Sequence, residues 1–213
     1  MRVVRFLLLA LAATAVAVGV GLVVDDDESP QDPVTADAPS VALDDFDTTE
    51  LVAERVAFCD DVPAEAVAEA LDGEPVATAA YGSGDRAKVA GQLRDVSHEF
   101  SCAWRGADGT VARAWVFAPP VTPAQADSLI TDARTKQGCG AEAGAPAYGV
   151  PSLALVCEER GTRLRSYRGL FGDAWLTCQL AAPKATAPAA QADRASRWCV
   201  SVASAAAVAA ETG

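Results

Sequence analysis

The chain has 213 residues, a formal net charge of −12 and a single histidine. Its acidity is uneven, because residues 25–50 hold ten acidic and no basic residues, whereas residues 51–213 hold nineteen acidic and fifteen basic ones. Nothing in this distribution indicates the basic surface that binds nucleic acid. Residues 51–213 are numerous enough to form one domain with its own hydrophobic core.

The amino terminus carries a long apolar segment. Residues 6–24 contain no charged residue, follow Arg2 and Arg5, and precede four consecutive acidic residues. A helix of this length would be roughly 28 Å long, close to the thickness of a hydrocarbon core. The flanking charges predict a cytoplasmic amino terminus with the rest of the chain outside. We therefore expect residues 1–24 to form a single-pass signal anchor in the cell membrane; the alternative is secretion after signal-peptide cleavage near Ala17.

Residues 25–50 join the apolar segment to the rest of the chain. Their ten acidic residues, the prolines at positions 30, 33 and 39, and the scarcity of large apolar residues predict an extended, self-repelling linker. We expect this disordered linker to hold a folded domain, residues 51–213, away from the membrane.

Apolar periodicity and capping residues predict the elements of that domain. In chain order these are a helix over 62–71, strands over 75–81, 98–105 and 111–118, a helix over 122–138, strands over 153–157, 163–170 and 174–181, and a helix beginning at Pro188. Residues 82–95 suggest a glycine-interrupted loop or short helix. Thr122 and Gln125 form a capping-box pattern around a proline at the first helical position. The order is typical of an α+β fold, an antiparallel sheet with packed helices.

Six cysteines lie in the predicted domain. In an exported protein an even number of cysteines indicates disulfides, here three, with fifteen formal pairings. No Cys-x-x-Cys motif occurs, and a single histidine argues against a metal site. The pairs favoured by proximity of the predicted elements are Cys59–Cys102, Cys139–Cys157 and Cys178–Cys199.

The stretch CDDVPAEAV over residues 59–67, followed later by Cys102-Ala103-Trp104, resembles a family of actinobacterial cell-envelope proteins, often lipoproteins, of unassigned function. Those proteins also begin their folded part with a cysteine and a Pro-Ala-Glu-type helix, and carry a later Cys-x-Trp. More loosely, the layout is similar to extracellular sensor domains of mycobacterial receptor kinases. The resemblance covers about residues 57–118 and implies an envelope location and an α+β fold, but no reaction. This chain lacks the lipoprotein cysteine and has two extra cysteine pairs.

His98 and Cys102 lie close together in sequence and raise the question of catalysis. No second histidine and no Gly-x-Ser-x-Gly motif accompany them, and an exported cysteine in a strand is typically a disulfide partner. We therefore expect no enzymatic activity. The alternatives are a secreted hydrolase that acts on the envelope and a purely structural envelope protein.

Four arginines lie within residues 160–168 of this otherwise acidic chain. In a strand, alternation would place some of them on one face with Tyr167, and an antiparallel neighbour could bring Trp175 and Gln179 beside them. The candidate ligand-binding residues are Arg163, Arg165, Tyr167, Trp175 and Gln179. Arginines beside aromatic rings suit an anionic or carbohydrate-like ligand. The alternative is a solvated face whose arginines pair with Glu158, Glu159 or the linker.

Together these patterns favour a membrane-tethered, extracytoplasmic module of the bacterial cell envelope that binds a ligand or a partner protein, with no cofactor. A deep pocket lined by facing carboxylates would favour the enzyme instead, whereas a shallow surface of arginine, tyrosine and tryptophan would favour binding.

Overall fold

The computed structural model describes residues 41–90 and 93–207. The predicted membrane anchor, residues 1–24, and most of the predicted linker lie outside the described residues. Among the described residues, no helix is both long enough and apolar enough to cross a membrane.

Three α-helices and nine β-strands make up the described part. In chain order they are α1 (Ala64–Leu71), β1 (Ala77–Tyr81), β2 (Arg86–Ala90), β3 (Leu93–Val96), β4 (Glu99–Arg105), β5 (Val111–Phe117), α2 (Pro123–Arg134), β6 (Cys139–Ala141), β7 (Ser152–Glu158), β8 (Thr162–Phe171), β9 (Ala174–Pro183) and α3 (Pro188–Ala206). A single turn of 3₁₀ helix, Leu43–Asp45, precedes them, and another over Cys59–Asp61 leads into α1.

Seven strands form one antiparallel sheet in the order β1-β4-β5-β9-β8-β7-β6, and β2 and β3 form a separate hairpin. This confirms the predicted α+β class with an antiparallel sheet and packed helices. The capping box at Thr122 is also present, because its hydroxyl accepts a hydrogen bond from the Gln125 amide while the Gln125 side chain accepts one from the Thr122 amide.

Helices cover the two sheet faces unequally. On one face, α1 and α3 pack over β4, β5, β9 and β8, and Trp198 of α3 lies edge-on to Trp104 with ring centroids 5.3 Å apart. On the other face, α2 packs over β7 and β8 around Ile130 and Leu155. Within the described part of the chain, no helix covers the rest of that second face, over β1, β4, β5 and β9.

Three disulfides close the fold. Cys178 on β9 is joined to Cys199 on α3 through the main core, and Cys59 before α1 is joined to Cys102 on β4. Cys139 and Cys157 are directly opposite each other on β6 and β7. These are the three pairs that the sequence favoured, and the described residues contain no free cysteine.

Two sequence predictions about element boundaries are wrong. The predicted linker continues to residue 50, yet residues 41–50 pack onto the domain: Leu43 is 2% exposed and its amide donates to the Ser196 hydroxyl at 2.7 Å. The predicted loop or short helix over residues 82–95 contains the β2–β3 hairpin instead. Most of the hairpin side chains that the structure describes are exposed, Leu93 at 59%, so among them no continuous buried face imposes the alternation from which a strand is recognised.

Candidate functional site

The antiparallel register separates the five predicted ligand-binding residues. Arg165 pairs with Leu180 and Tyr167 with Cys178, so these two side chains point to the α3 face together with Arg163. Trp175 and Gln179 alternate with those partners and point to the opposite face. The prediction that all five share one surface is therefore wrong, because residues directly opposite in an antiparallel pair lie on the same face.

Arg163 is held in an ion pair and Trp175 is packed in the core, so both have structural roles. The Arg163 guanidinium donates to the Glu158 carboxylate at 2.9 Å and holds the pKa of that carboxyl below its ordinary value. This is the pairing that the alternative interpretation of the arginine segment expected. Trp175 is 3% exposed and packs in the cluster beneath α2, out of reach of a ligand.

Arg165 and Tyr167 line a cavity of about 400 Å³ between α3, β8 and residues 142–146. We call it the α3 cavity. Its charged and hydroxyl-bearing lining residues are Asp44, Glu142, Arg165, Tyr167, Asp193 and Ser196. Cavities that hold small ligands are typically at least ~300 Å³ and combine apolar walls with a few convergent polar groups. The apolar walls here are alanines, among them Ala189 and Ala192 of α3.

Arg165 forms the charged wall of the α3 cavity. Its side chain is only 11% exposed and one guanidinium nitrogen, Nη1, donates to the Glu142 carboxylate. The Nε nitrogen of the same guanidinium is buried and has no hydrogen-bond partner among the described residues. A buried donor without an acceptor costs about 1–3 kcal/mol, and because this nitrogen is closed to solvent, a molecule in the cavity does not contact it directly.

Tyr167 contributes a hydroxyl to the α3 cavity. The residue is 4% exposed. Burial, followed by the negative charge of Glu142, raises the pKa of its phenol above the ordinary value, and Asp44 adds to the effect. The hydroxyl therefore stays neutral at physiological pH and can donate or accept a hydrogen bond.

The amino-terminal segment and α3 close the cavity together. The Ser196 hydroxyl accepts a hydrogen bond from the Leu43 amide. This bond fixes the turn that carries Asp44 beside the helix. Asp193, one turn earlier on α3, pairs with Arg197, which also pairs with Glu69 of α1. Ion pairs thus anchor two of the carboxylates that line the cavity, Glu142 and Asp193, while no ion pair of Asp44 is found within the described part.

A second polar surface lies on the sheet face that no helix of the described part covers. We call it the open sheet face. Arg113 donates to the Tyr81 hydroxyl at 2.8 Å and to Glu99 at 3.2 Å, and its guanidinium lies 4.6 Å from the centre of the Trp115 ring. Gln179 donates to the Ser166 hydroxyl at 3.4 Å. These polar groups bond mainly to one another, as expected for the solvated face of an antiparallel sheet.

Sequence reasoning misses Asp44 and Glu142. Asp44 falls in the predicted disordered linker because its neighbours are acidic, although Leu43 beside it is an apolar residue able to dock. Glu142 is the single charged residue between Gly140 and Ser152, in a stretch of small residues and proline. A lone charge in such a loop is the signal that could have drawn attention to it, since loops carry many binding residues.

Metal binding and known relatives give no further assignment. Within residues 41–90 and 93–207, no cluster of three or more histidine, cysteine or carboxylate side chains is placed to hold a metal ion. No protein-family model, curated protein or solved structure matches the chain. The resemblance to actinobacterial envelope proteins stays a prediction.

Proposed function

We propose that this chain is a membrane-tethered, extracytoplasmic binding domain of the cell envelope that holds a small ligand in the α3 cavity and carries out no reaction. The observation that carries the proposal is the α3 cavity itself, about 400 Å³ in volume, in which small apolar residues surround the polar side chains of Asp44, Arg165 and Tyr167. Cavities of this size that combine apolar walls with a few polar groups are typical of small-ligand sites.

The extracytoplasmic location is supported by two independent features of the chain. Three disulfides are typical of proteins that fold in an oxidising compartment. The uncharged run over residues 6–24, preceded by two arginines and followed by four acidic residues, is typical of a membrane anchor that leaves the following domain outside.

The groups in the α3 cavity support binding rather than hydrolysis. Facing carboxylates would favour an enzyme, but Glu142 and Asp193 are each engaged by an arginine. The Ser196 hydroxyl accepts a hydrogen bond from a backbone amide. The described residues that line the cavity include no histidine or lysine to act as a base. His98, the sole histidine, lies in a different depression with Phe117 and Pro119. Nucleophilic catalysis needs a nucleophile within hydrogen-bond reach of a base.

The proposal is tested by ligand-observed NMR with a library of small polar compounds and the full chain with its disulfides formed. Ala192→Leu is the blocking variant, because Ala192 lines the cavity and a larger side chain there would occupy it. Ala190→Leu is the matched control, since Ala190 is exposed on the same turn of α3 and is not among the residues that line the cavity.

We expect compounds that bind the wild-type chain and Ala190→Leu, and lose binding to Ala192→Leu. The proposal fails if no compound binds, or if every bound compound tolerates Ala192→Leu. Substituting Arg163, Arg165 and Tyr167 together would be a poorer test of binding. Tyr167 belongs to the core, so its loss would change folding as well as binding.

A further inference from the structure

Arg168 on β8 differs from the other partly buried arginines of the described part. Seven arginines there are at least partly buried, and six of them form ion pairs with carboxylates: Arg55, Arg113, Arg163, Arg165, Arg194 and Arg197. No carboxylate of the described residues pairs with Arg168. Burial lowers the pKa of its guanidinium below the ordinary value, because hydration is lost and no opposite charge compensates.

The sheet orients the Arg168 guanidinium toward the border of the open sheet face. In register, Arg168 lies opposite Leu153 of β7, which packs beneath α2, and opposite Thr177 of β9. Its Nε donates to the Ser166 hydroxyl at 3.1 Å. The two Nη nitrogens donate to no described residue, and neither is closed to solvent. The protein therefore holds one side of the guanidinium and leaves its outer donors within reach of a ligand.

Gln179 adds an acceptor beside these donors. Its amide nitrogen donates to the same Ser166 hydroxyl at 3.4 Å, so the ends of the Gln179 and Arg168 side chains are neighbours. The Gln179 carbonyl oxygen accepts from no described residue and is not closed to solvent. A guanidinium next to an amide oxygen suits a ligand that carries an anionic acceptor next to a hydroxyl donor.

The charge of the surrounding face favours an anion. Among the described strand residues that point to this face, the charged ones are Glu99, Arg105, Arg113 and Arg168, and Arg113 is already paired with Glu99. The excess is positive, although residues 51–213 hold more acidic than basic residues. One guanidinium binds a planar carboxylate through two parallel hydrogen bonds. The single negative charge of a carboxylate therefore matches Arg168 better than a phosphate does.

We propose that Arg168 and Gln179 form a binding site for an acidic sugar, in which Arg168 binds the carboxylate and Gln179 accepts a hydrogen bond from a neighbouring hydroxyl. This site lies on the other sheet face from the α3 cavity, so the inference goes beyond the proposed function and does not depend on it. Of the five ligand-binding residues predicted from the sequence, only Gln179 belongs to it. The anionic, carbohydrate-like ligand class of that prediction is kept.

Three compounds test the ligand class by NMR titration of the full chain with its disulfides formed. Glucuronate is compared with glucose, which lacks the carboxylate, and with cyclohexanecarboxylate, which keeps a six-membered ring and the carboxylate but has no hydroxyl. We expect glucuronate to bind about tenfold or more tightly than glucose, as for a hydrogen bond to a charged group. It should bind about threefold more tightly than cyclohexanecarboxylate, as for one neutral hydrogen bond.

Two substitutions should weaken glucuronate binding by different routes. Arg168→Gln removes the guanidinium, whereas Gln179→Glu keeps it and supplies a carboxylate of the protein that competes with the ligand. Arg160→Gln is the control, because Arg160 is exposed just before β8 and has no ion pair in the described part. We expect affinity to fall about tenfold in the first two variants and to stay unchanged in the third. Gln179→Glu keeps the test valid if Arg168→Gln fails to fold.

Several outcomes would overturn the acidic-sugar proposal. It is wrong if glucose or cyclohexanecarboxylate binds as tightly as glucuronate, if glucuronate does not bind at high millimolar concentration, or if Gln179→Glu binds it as tightly as the wild type. Displacement of glucuronate by Ala192→Leu would place it in the α3 cavity and overturn the proposal as well. Tighter binding of the peptide acetyl-Gly-Glu-Gly-amide than of glucuronate would assign the site to a protein carboxylate instead.

Discussion

Gly169 of β8 lies directly beneath the backbone of Tyr148, and a Cβ atom added to Gly169 would come within 1.5 Å of the Tyr148 carbonyl oxygen. The segment that crosses over β8 here is also hydrogen-bonded to it, through the Val150 amide to the Leu170 carbonyl at 2.8 Å. The close approach brings Tyr148 over the core, where its ring packs 4.9 Å from that of Phe171. The same segment begins with residues 142–146, which line the α3 cavity.

Gly169→Ala should therefore be strongly destabilising. The obstructing atom belongs to the backbone and cannot rotate away, so we expect a loss of at least about 3 kcal/mol in the free energy of unfolding. Gly140→Ala is the control, because Gly140 is also a strand glycine, but a Cβ atom added there would have no described atom within 4 Å. Urea unfolding of both variants checks this, and equal losses would contradict the packing of Tyr148 on β8.

Two of the three disulfides should differ in their contribution to stability. Cys178–Cys199 and Cys139–Cys157 span 21 and 18 residues, so their loop-closure contributions are nearly equal, about 3 kcal/mol each. Both cysteines of the first pair are 0% exposed, whereas Cys139 is half-buried. Replacing a buried pair by alanine also leaves a cavity. We expect the Cys178→Ala, Cys199→Ala variant to be less stable than the Cys139→Ala, Cys157→Ala variant by about 1–2 kcal/mol, measured by thermal unfolding.

The capping box of α2 offers a local test of helix stability. The Thr122 hydroxyl accepts from the Gln125 amide at 3.3 Å, so Thr122→Ala should lower the free energy of unfolding by about 1 kcal/mol. Ser128→Ala on the exposed side of the same helix is the control. Its hydroxyl bonds back to the Ala124 carbonyl, an interaction that does not stabilise a helix. A comparable loss in both variants would show that the cap is energetically unimportant.

Local patterns predict the elements that have a buried face or a distinct cap. Alternation over β5, where Ala112, Ala114 and Val116 are each 0% exposed, indicates the strand. Proline and the Thr122–Gln125 pair indicate the start of α2. The same local patterns lead to the disulfide pairs, because each cysteine lies on or near a predicted element and only a few of the pairings bring neighbouring elements together.

The site is only partly predictable, because it depends on which residues meet across the sheet. Arg165 and Tyr167 stand out within their own strand, but their partners come from other parts of the chain: Asp44 from the amino-terminal segment and Asp193 from α3. The sequence predicts the wrong face for Gln179. Alternation shows which residues of one strand share a face, but it does not fix the register of that strand against its neighbour, which can differ by one residue. Such a shift moves every side chain of the strand to the other face.

Tyr148 should make the protein sensitive to alkaline pH. Its hydroxyl is buried without a hydrogen-bond partner among the described residues, and burial raises the pKa of the phenol well above its ordinary value of 10.0. A raised pKa in the folded state means that stability is kept below pH 10 and is lost as the pH rises further, because the unfolded chain releases the proton more readily. Tyr148→Phe should reduce this alkaline loss and, near pH 7, match the wild type or exceed it by up to about 1 kcal/mol.

Tyr81→Phe is the comparison that makes the Tyr148 prediction specific. The Tyr81 hydroxyl donates to Glu99 and accepts from Arg113 at 2.8 Å, so its removal breaks two hydrogen bonds to charged groups. We expect Tyr81→Phe to lose about 1–3 kcal/mol at neutral pH, in contrast to Tyr148→Phe. Urea unfolding at pH 7 and at a series of values above pH 9 measures both effects. A Tyr148→Phe variant that is less stable than the wild type at pH 7 would mean that the Tyr148 hydroxyl has a polar partner in solution.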